Sequence, residues 1–250
     1  MADFDNRLVR GATTVADTMD AGLRAHMLRV YNYMTGALAL TGIVAYGVAN
    51  TPALLNLFYR EVLTANGAAL SPTLLGWVVM LAPIGLVLLL SFRIMQMSQA
   101  AAQATFWGYA ALVGASLASI FIVYTGASVA MTFFVTAGTF GAMSLWGYTT
   151  KRDLTGFGSF LFMGLIGILL ASLANFFFKS PVMDFVISVL GVLIFTGLTA
   201  WDTQKIKNTY YAVGGDTAAA GKAAIMGALS LYLDFLNIFL FLLRFMGNRR

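Results

Sequence analysis

Long stretches without a charged residue dominate the chain. The segments Val30–Tyr59, Thr73–Phe92 and Ile94–Thr150 carry no charge, and further uncharged segments follow towards the C-terminus. About 20 apolar residues in a helix cross the roughly 30 Å hydrocarbon core of a bilayer. The pattern therefore predicts several membrane-spanning helices.

Seven helices account for this pattern. The run from Ile94 to Thr150 holds 57 residues, too many for one crossing, so the chain must turn back within it. The stretch Tyr124-Thr125-Gly126-Ala127 is the predicted turn, and Pro83 predicts a kink in the second helix because proline removes a backbone hydrogen bond. The predicted helices cover residues 30–50, 73–92, two segments within 94–150, 156–178, 180–202 and one segment between 222 and 244.

The composition excludes a water-soluble protein. Hydrophobic residues make up 60% of the chain and charged residues 10%, against about 45–50% and 25% in soluble domains. The chain has no cysteine and a single histidine, His26, which excludes thiolate nucleophiles and cysteine or histidine metal sites. The basic residues are scattered in short loops, which does not fit a nucleic-acid surface. We expect no enzymatic activity and no tightly bound cofactor.

Residues 1–29 are polar and form a predicted cytosolic segment in front of a transmembrane domain of residues 30–250. Val15, Met19, Leu23 and Met27 recur every four residues, which is typical of an amphipathic helix on the membrane surface. A loose polar tail is the alternative interpretation.

The distribution of basic residues predicts the orientation of the chain. With the N-terminus in the cytosol, ten lysines and arginines face the cytosol and five face outwards, which the positive-inside rule favours. Arg250 is then outside. A re-entrant seventh segment would return the three terminal arginines to the cytosol, so both versions stay open.

Pairs of small residues predict where helices pack closely. Gly138 and Gly141, Gly164 and Gly167, and Ser116 and Ser119 are each three residues apart. In lipid, such spacing allows two helix backbones to approach each other.

Asp234 is the ionisable residue that the pattern explains least well. It lies in the middle of the seventh predicted helix, with Ser230 and Asn237 on the same face. A charge at this depth is costly, so Asp234 must face protein or water and is a candidate for function. A structural role as a protonated interhelical hydrogen bond is the alternative.

Two further charges lie near predicted helix ends. Asp202 is close to the cytosolic end of the sixth helix, which a short polar turn around Gly214-Gly215-Asp216 joins to the seventh. Consecutive helices are usually neighbours, so Asp202 and Asp234 are expected to converge. Arg93 ends the second helix. It is either a counter-ion for the carboxylates or a simple stop-transfer charge.

Three stretches carry a resemblance to a known family. Residues 200–206 (AWDTQKI), 228–239 (ALSLYLDFLNIF) and 242–244 (LLR) resemble the closing signature of the Bax inhibitor-1-like family, also called the transmembrane Bax inhibitor motif family. The chain is similar to the bacterial branch. Residues 91–94 (SFRI) and the seven-span pattern extend the match, whereas Trp201 replaces the tyrosine of many relatives.

This resemblance implies both a fold and a function. The fold is an all-α integral membrane protein in which six transmembrane helices surround a central seventh. The function is a pH-sensitive calcium leak gated by two aspartates, which correspond to Asp202 and Asp234 and would contact calcium transiently. Arg93 corresponds to a latching arginine. The implied location is the bacterial inner membrane, with the lipid bilayer, calcium and protons as partners and an unassigned oligomeric state.

Elementary electrostatics is compatible with this mechanism. Two carboxylates in contact at low dielectric cannot both ionise cheaply, so the pair is expected to share one proton and titrate as a unit. A proton-coupled secondary transporter and a non-transporting membrane adaptor remain alternatives. An intramembrane aspartyl protease is disfavoured, because neither aspartate lies in a Gly-x-Gly-Asp context.

Overall fold

The computed structural model describes residues 2–64, 67–213 and 217–249, and about 90% of it is helical. The helices are α1 (Ala2–Asn50), α2 (Pro52–Phe58), α3 (Leu74–Arg93), α4 (Gln99–Ser116), α5 (Ala118–Val123), α6 (Gly126–Thr149), α7 (Thr155–Phe178), α8 (Pro181–Val213) and α9 (Thr217–Met246). A 3-10 turn (Ile94–Gln96) links α3 to α4, and a hairpin of β1 (Tyr59–Thr64) and β2 (Gly67–Pro72) follows α2.

Within these described ranges, six segments are long and apolar enough to cross a membrane, and a bent pair is a seventh candidate. The predicted turn is confirmed, because Tyr124 and Thr125 separate α5 from α6. The predicted all-α membrane architecture is thereby confirmed, with six or seven spans. The six segments are Leu74–Gln96, Gln99–Val123, Gly126–Thr149, Thr155–Phe178, Pro181–Val213 and Ala218–Met246, and the bent pair is Ala21–Asn50 with Pro52–Phe58.

Helix α1 runs without a break across the predicted boundary at residues 29 and 30. Leu23, Met27 and Val30 are buried on one face of it, so the helix packs against the other helices before the charge-free run begins. The side chains of Val15 and Met19, the other members of the predicted amphipathic face, lie outside the described ones.

Pro52 begins a new helix at a sharp corner. Proline fits the first position of a helix, where its missing N–H costs no hydrogen bond, and α2 lies at 98° to α1. The chain then forms the β1–β2 hairpin, with Tyr59 opposite Pro72 and Val62 opposite Ala69. The Tyr59 hydroxyl donates to the Ser116 carbonyl at 3.0 Å and ties the hairpin to α4. The pattern of hydrophobic and polar residues does not predict this hairpin.

The spans alternate in direction and so define two ends of the bundle. We call them the Arg93 end and the hairpin end. At the Arg93 end, the Lys222 ammonium on α9 donates to the Met95 carbonyl at 2.9 Å. At the hairpin end, the Thr125 amide donates to the Asn248 carbonyl at 3.1 Å. Helix α9 therefore crosses the whole bundle as one unbroken helix and does not fold back.

Two of the sequence predictions fall on residues that lie outside the described ones. They are the turn around Gly214-Gly215-Asp216 and the outward position of Arg250.

Burial differs strongly between the spans. In the apolar stretch of α9 that is long enough to span a membrane, 56% of the residues are buried inside the protein, against 11% in the corresponding stretch of α7. Helix α9 packs against α1, α4, α6 and α8, while α7 packs on α8 and α3 on α4. Leu170, Phe176 and Phe177 of α7 are exposed. Such a surface is compatible only with an apolar solvent, which is the bilayer.

Most of the glycines predicted to pack closely do not. A side chain placed at Gly138, Gly141 or Gly167 meets no atom of the described structure within 4 Å, so the prediction is wrong for these three. Spacing shows that two residues share a face, but not that the face meets another helix. A close helix approach is made instead by Gly147 of α6, where an added Cβ would collide with the backbone of Ala200 on α8.

Candidate functional site

Asp202 of α8 and Asp234 of α9 meet between the two helices. Their carboxyl groups lie within hydrogen-bonding reach of each other. Asp234 is 4% exposed, while Asp202 is half-buried. The predicted convergence of the two aspartates is therefore present in the structure.

One oxygen of the pair has no partner. Asp234 Oδ2 is buried and makes no hydrogen bond within the described part of the chain. A buried carboxyl oxygen in this state is costly if it is charged, and it is available to a proton, a water molecule or a cation.

Lys205 is the basic residue whose charge acts on the aspartate pair. It follows Asp202 by three residues on α8, and its positive charge acts on the Asp202 carboxyl group. The Lys205 ammonium lies over the Trp201 ring, 4.9 Å from the ring centroid. This contact holds the lysine side chain against Trp201, the residue before Asp202.

Helix α6 fixes the segment of α8 that carries Asp202. The Gly147–Ala200 approach brings the two backbones together. One turn away, the Ser144 and Thr203 hydroxyls are hydrogen-bonded at 3.0 Å. These contacts lie on both sides of Asp202 in the sequence, so the position of the carboxylate depends on the α6–α8 interface.

Gln204 clamps the same segment to the loop between α6 and α7. Its carbonyl oxygen accepts the Leu154 amide at 2.8 Å, and its amide donates to the Arg152 carbonyl at 2.7 Å. Lys207 extends the contact by donating to the Tyr148 carbonyl at 2.9 Å. A buried amide satisfied on both sides rigidifies its surroundings.

The opposite face of α9 is held by Tyr232. The hydroxyls of Tyr232 and Thr41 are hydrogen-bonded at 2.7 Å, and Thr41 also donates to the Ala110 carbonyl at 2.9 Å. Phe106 and Tyr109 of α4 pack edge-on against the Tyr232 ring. Because these contacts fix the rotation of α9, they also fix the side to which Asp234 points.

Arg93 does not contact the aspartates. Its guanidinium donates to Gln96 at 3.1 Å within its own turn. Among the described residues, the one ion pair is between Arg244 and Asp184, at the hairpin end. The structure therefore has the predicted latch residue at the correct end of the bundle but without the predicted partner.

The two polar neighbours predicted from the sequence are half-buried on α9. The Asn237 amide donates to the Leu233 carbonyl at 2.8 Å. Ser230 lies one turn from Asp234 on the Arg93 side. Both residues make the α9 surface near Asp234 more polar.

Several residues around the site escaped sequence reasoning. Thr203 and Gln204 are buried next to Asp202, and Tyr31 of α1 is hydrogen-bonded to Ser144. A signal for α6 was present, because Ser128, Thr132, Thr136 and Ser144 recur at multiples of four residues. Hydroxyl residues are common in membrane helices, so the recurrence does not stand out without the neighbouring helices.

The donor set for a metal is small. No group of three or more histidine or acidic residues gathers anywhere in residues 2–64, 67–213 and 217–249 that could hold a metal ion. Asp202 and Asp234 provide two carboxylates. A resident calcium site needs six to eight oxygens, so this pair alone suits a transient contact.

Known proteins are similar to this chain along almost its whole length. The profile of a family described as "Inhibitor of apoptosis-promoting Bax1" (Bax1-I) matches residues 23–250. The inner membrane protein YbhL of Escherichia coli K12 is 49% identical over 231 residues, which cover 92% of this chain and 94% of the relative. An uncharacterised protein of Caulobacter vibrioides is 48% identical over the full length of both chains. A membrane protein of Streptococcus pyogenes is 36% identical over 92% of this chain and 95% of its own.

Proposed function

We propose that this chain, which belongs to the Bax inhibitor-1-like family, is a calcium-leak channel of the bacterial inner membrane that protons close. The observation that carries the proposal is the close approach of the Asp202 and Asp234 carboxyl groups inside the helix bundle. The inner-membrane location is supported by the name of the YbhL relative.

The pair supports a pH-dependent gate because its two carboxyl groups are in contact. When one proton is shared, the hydrogen bond holds α8 to α9 at this level. When the proton leaves, two negative charges repel each other in a poorly solvated place and favour separation and hydration. Conduction should therefore rise as the pH rises and fall as the pair is protonated.

Calcium suits the separated pair. Carboxylate oxygens are hard ligands that calcium prefers, and Asp234 Oδ2 is already without a protein partner in the described structure. With two carboxylates in place, binding is weak enough for the ion to leave again. The proposal includes no catalytic step and no tightly bound cofactor.

The arrangement of the bundle fits a gate in its middle. We infer that α9 is the central helix, since it is the most buried of the six long spans and contacts α1, α4, α6 and α8. We also place the N-terminus and the Arg93 end in the cytosol, because that end carries most of the basic residues. Cytosolic protons would then reach Asp202 before Asp234.

Calcium flux into sealed liposomes tests the proposal. Purified protein is reconstituted into liposomes that contain a calcium indicator, and calcium influx is followed over a pH series from acid to alkaline. The proposal requires flux above that of empty vesicles, increasing with pH and proportional to the calcium gradient. Flux that saturates and needs an imposed proton gradient would replace the channel with a proton-coupled transporter. Flux equal to that of empty vesicles at every pH would exclude the channel and favour a non-transporting membrane adaptor.

A further inference from the structure

We propose that a row of hydroxyl groups on α6 and α8 lines the part of the ion path that leads from the aspartate pair to the hairpin end. This inference rests on the proposed function. It assigns Thr132, Thr136 and Thr196 to a hydrated file that water fills and through which a cation passes.

The first observation is a set of polar atoms without partners. Thr132 Oγ1, Thr196 Oγ1 and Asp234 Oδ2 are buried and make no hydrogen bond within the described ranges. Thr132 is 0% exposed. Burial of an unpaired polar group is unfavourable, and such groups are usually satisfied by ordered water. Because these unpaired polar atoms lie on the neighbouring helices α6, α8 and α9, they indicate a shared polar space between the helices.

The second observation is the face of α6 on which these groups lie. Ser128, Thr132, Thr136 and Ser144 are all buried, and their spacing by multiples of four places them on one face. Helix α6 packs against both α8 and α9. This face therefore lies inside the bundle and not on its lipid surface, and it is polar except at Phe140, which is buried between Thr136 and Ser144.

The register of α8 against α9 sets the depth of Thr196. The two helices are antiparallel, and Asp202 is paired with Asp234 while Phe195 stacks on Phe241. Asp202 and Phe195 are seven residues apart on α8, and Asp234 and Phe241 are seven residues apart on α9. The two contacts therefore give the same register. Thr196 is six residues from Asp202, so it lies about 9 Å from the pair towards the hairpin end.

The register of α6 against α9 sets the depth of the other two threonines. Phe140 packs on Phe235, and the Asn248 amide donates to Ser128 at 2.9 Å. Thr136 is four residues from Phe140, so it lies about 6 Å beyond the level of Asp234, near that of Thr196. Thr132 lies about 6 Å further, and Ser128 closes the row at the hairpin end.

The chemistry of these groups suits passage more than storage. A hydroxyl oxygen accepts from water and contacts cations, yet it carries no charge that would trap an ion. The Thr136 hydroxyl already donates to the Thr132 carbonyl at 2.8 Å. The lone pairs of its oxygen therefore remain free to accept from water or to contact a cation. Steps of about one helical turn let a cation leave one contact as it meets the next.

Silver ions test whether the row is hydrated. The chain has no cysteine, so Thr132→Cys and Thr196→Cys each carry one thiol, and Ag⁺ is a small cation that reacts with thiolates. Ag⁺ is applied at alkaline pH in chloride-free buffer, and thiols left unreacted are then counted after denaturation. We expect both cysteines to react, while Ala110→Cys, fully buried in the apolar core, stays free. Unreacted cysteines at positions 132 and 196 would overturn the proposal.

Threonine-to-valine variants test whether the row conducts. Valine keeps the shape and removes the hydroxyl, so Thr132→Val and Thr196→Val should lower calcium flux about fivefold. Their melting temperatures should not fall, since neither hydroxyl is hydrogen-bonded to another atom of the described protein. Thr149→Val, at an exposed hydroxyl on the same α6 helix, is the control and should conduct normally. Unchanged flux in both path variants contradicts the proposal.

The two experiments separate this inference from the function on which it rests. If the wild-type protein passes no calcium but Thr132→Cys still reacts with Ag⁺, the calcium channel fails and the hydrated row stands. If the wild type conducts calcium and position 132 does not react, the row fails and the channel stands.

Discussion

The hydroxyl of Tyr31 on α1 is hydrogen-bonded to Ser144 on α6, across a groove of about 520 Å³ between the two helices. Ser144 is bonded in turn to Thr203, and Thr203 donates to the Thr199 carbonyl at 2.8 Å. Because each hydroxyl has one proton, Tyr31 must donate to Ser144 and Ser144 to Thr203. A single directed chain thus joins α1 to the residue that follows Asp202.

This chain predicts coupled effects on stability. Tyr31→Phe removes one hydrogen bond and should lower the free energy of unfolding by about 1 kcal/mol, whereas Ser144→Ala removes two and should lower it by about 2 kcal/mol. The double variant should lose less than the sum, because both changes remove the same bond. Denaturant unfolding in detergent measures all three variants. Strictly additive losses would show that the bond contributes nothing.

The Gly147–Ala200 contact predicts a large difference between two glycines of one helix. In Gly147→Ala the new Cβ meets the α8 backbone, which cannot move aside, so about 1–3 kcal/mol of stability should be lost. Gly141→Ala is the matched control, since nothing lies within 4 Å of its Cβ position in the described structure. It should be neutral or slightly stabilising, because alanine favours helix. Equal melting temperatures for the two variants would contradict the close approach.

Lys205 and Arg93 are predicted to differ in their influence on the pH response. Lys205 acts on Asp202, so Lys205→Gln removes a charge that favours the ionised pair, and half-maximal flux should move to higher pH. Arg93 donates to Gln96 instead, and Arg93→Gln should leave the pH profile in place. Liposome flux over a pH series measures both. Higher basal flux in Arg93→Gln, cancelled by Asp202→Asn, would instead restore the latch implied by the family resemblance.

The orientation of the chain can be measured independently of transport. Single cysteines at Lys151, at the Arg93 end, and at Arg249, at the hairpin end, give two reporters in a cysteine-free chain. An impermeant thiol reagent added to intact cells should label Arg249→Cys and label Lys151→Cys only after the membrane is opened. The reverse pattern would invert the topology, and protection of both would place the C-terminus in the cytosol.

The aspartate pair and the spans were predictable because each carries a large free-energy signature. A carboxylate in a bilayer is costly, so Asp234 stands out in the sequence, and about 20 apolar residues have few structures other than a span. The neighbouring position of α8 and α9 followed from their order along the chain.

Contacts that depend on which faces meet were not predictable. The β1–β2 hairpin has strands of six residues, for which propensity is weak and context decides. The Gln204 clamp joins residues about 50 positions apart, a distance at which no local pattern operates. Gly147 was missed and Gly141 wrongly chosen, because both suit close packing and only the fold decides which face is buried.

Calcium flux through Asp234→Asn across pH tests the central claim most directly. Asparagine keeps the shape and hydrogen bonding of the side chain but cannot ionise, so the pair loses its shared proton and with it the pH dependence. Asp153→Asn, at an exposed loop carboxylate whose pKa is lowered by hydrogen bonds from the Thr155 hydroxyl and amide, is the control and should respond to pH like the wild type. The account predicts that the flux of Asp234→Asn is flat across the range over which the wild-type flux rises. A wild-type pH profile in Asp234→Asn would contradict it.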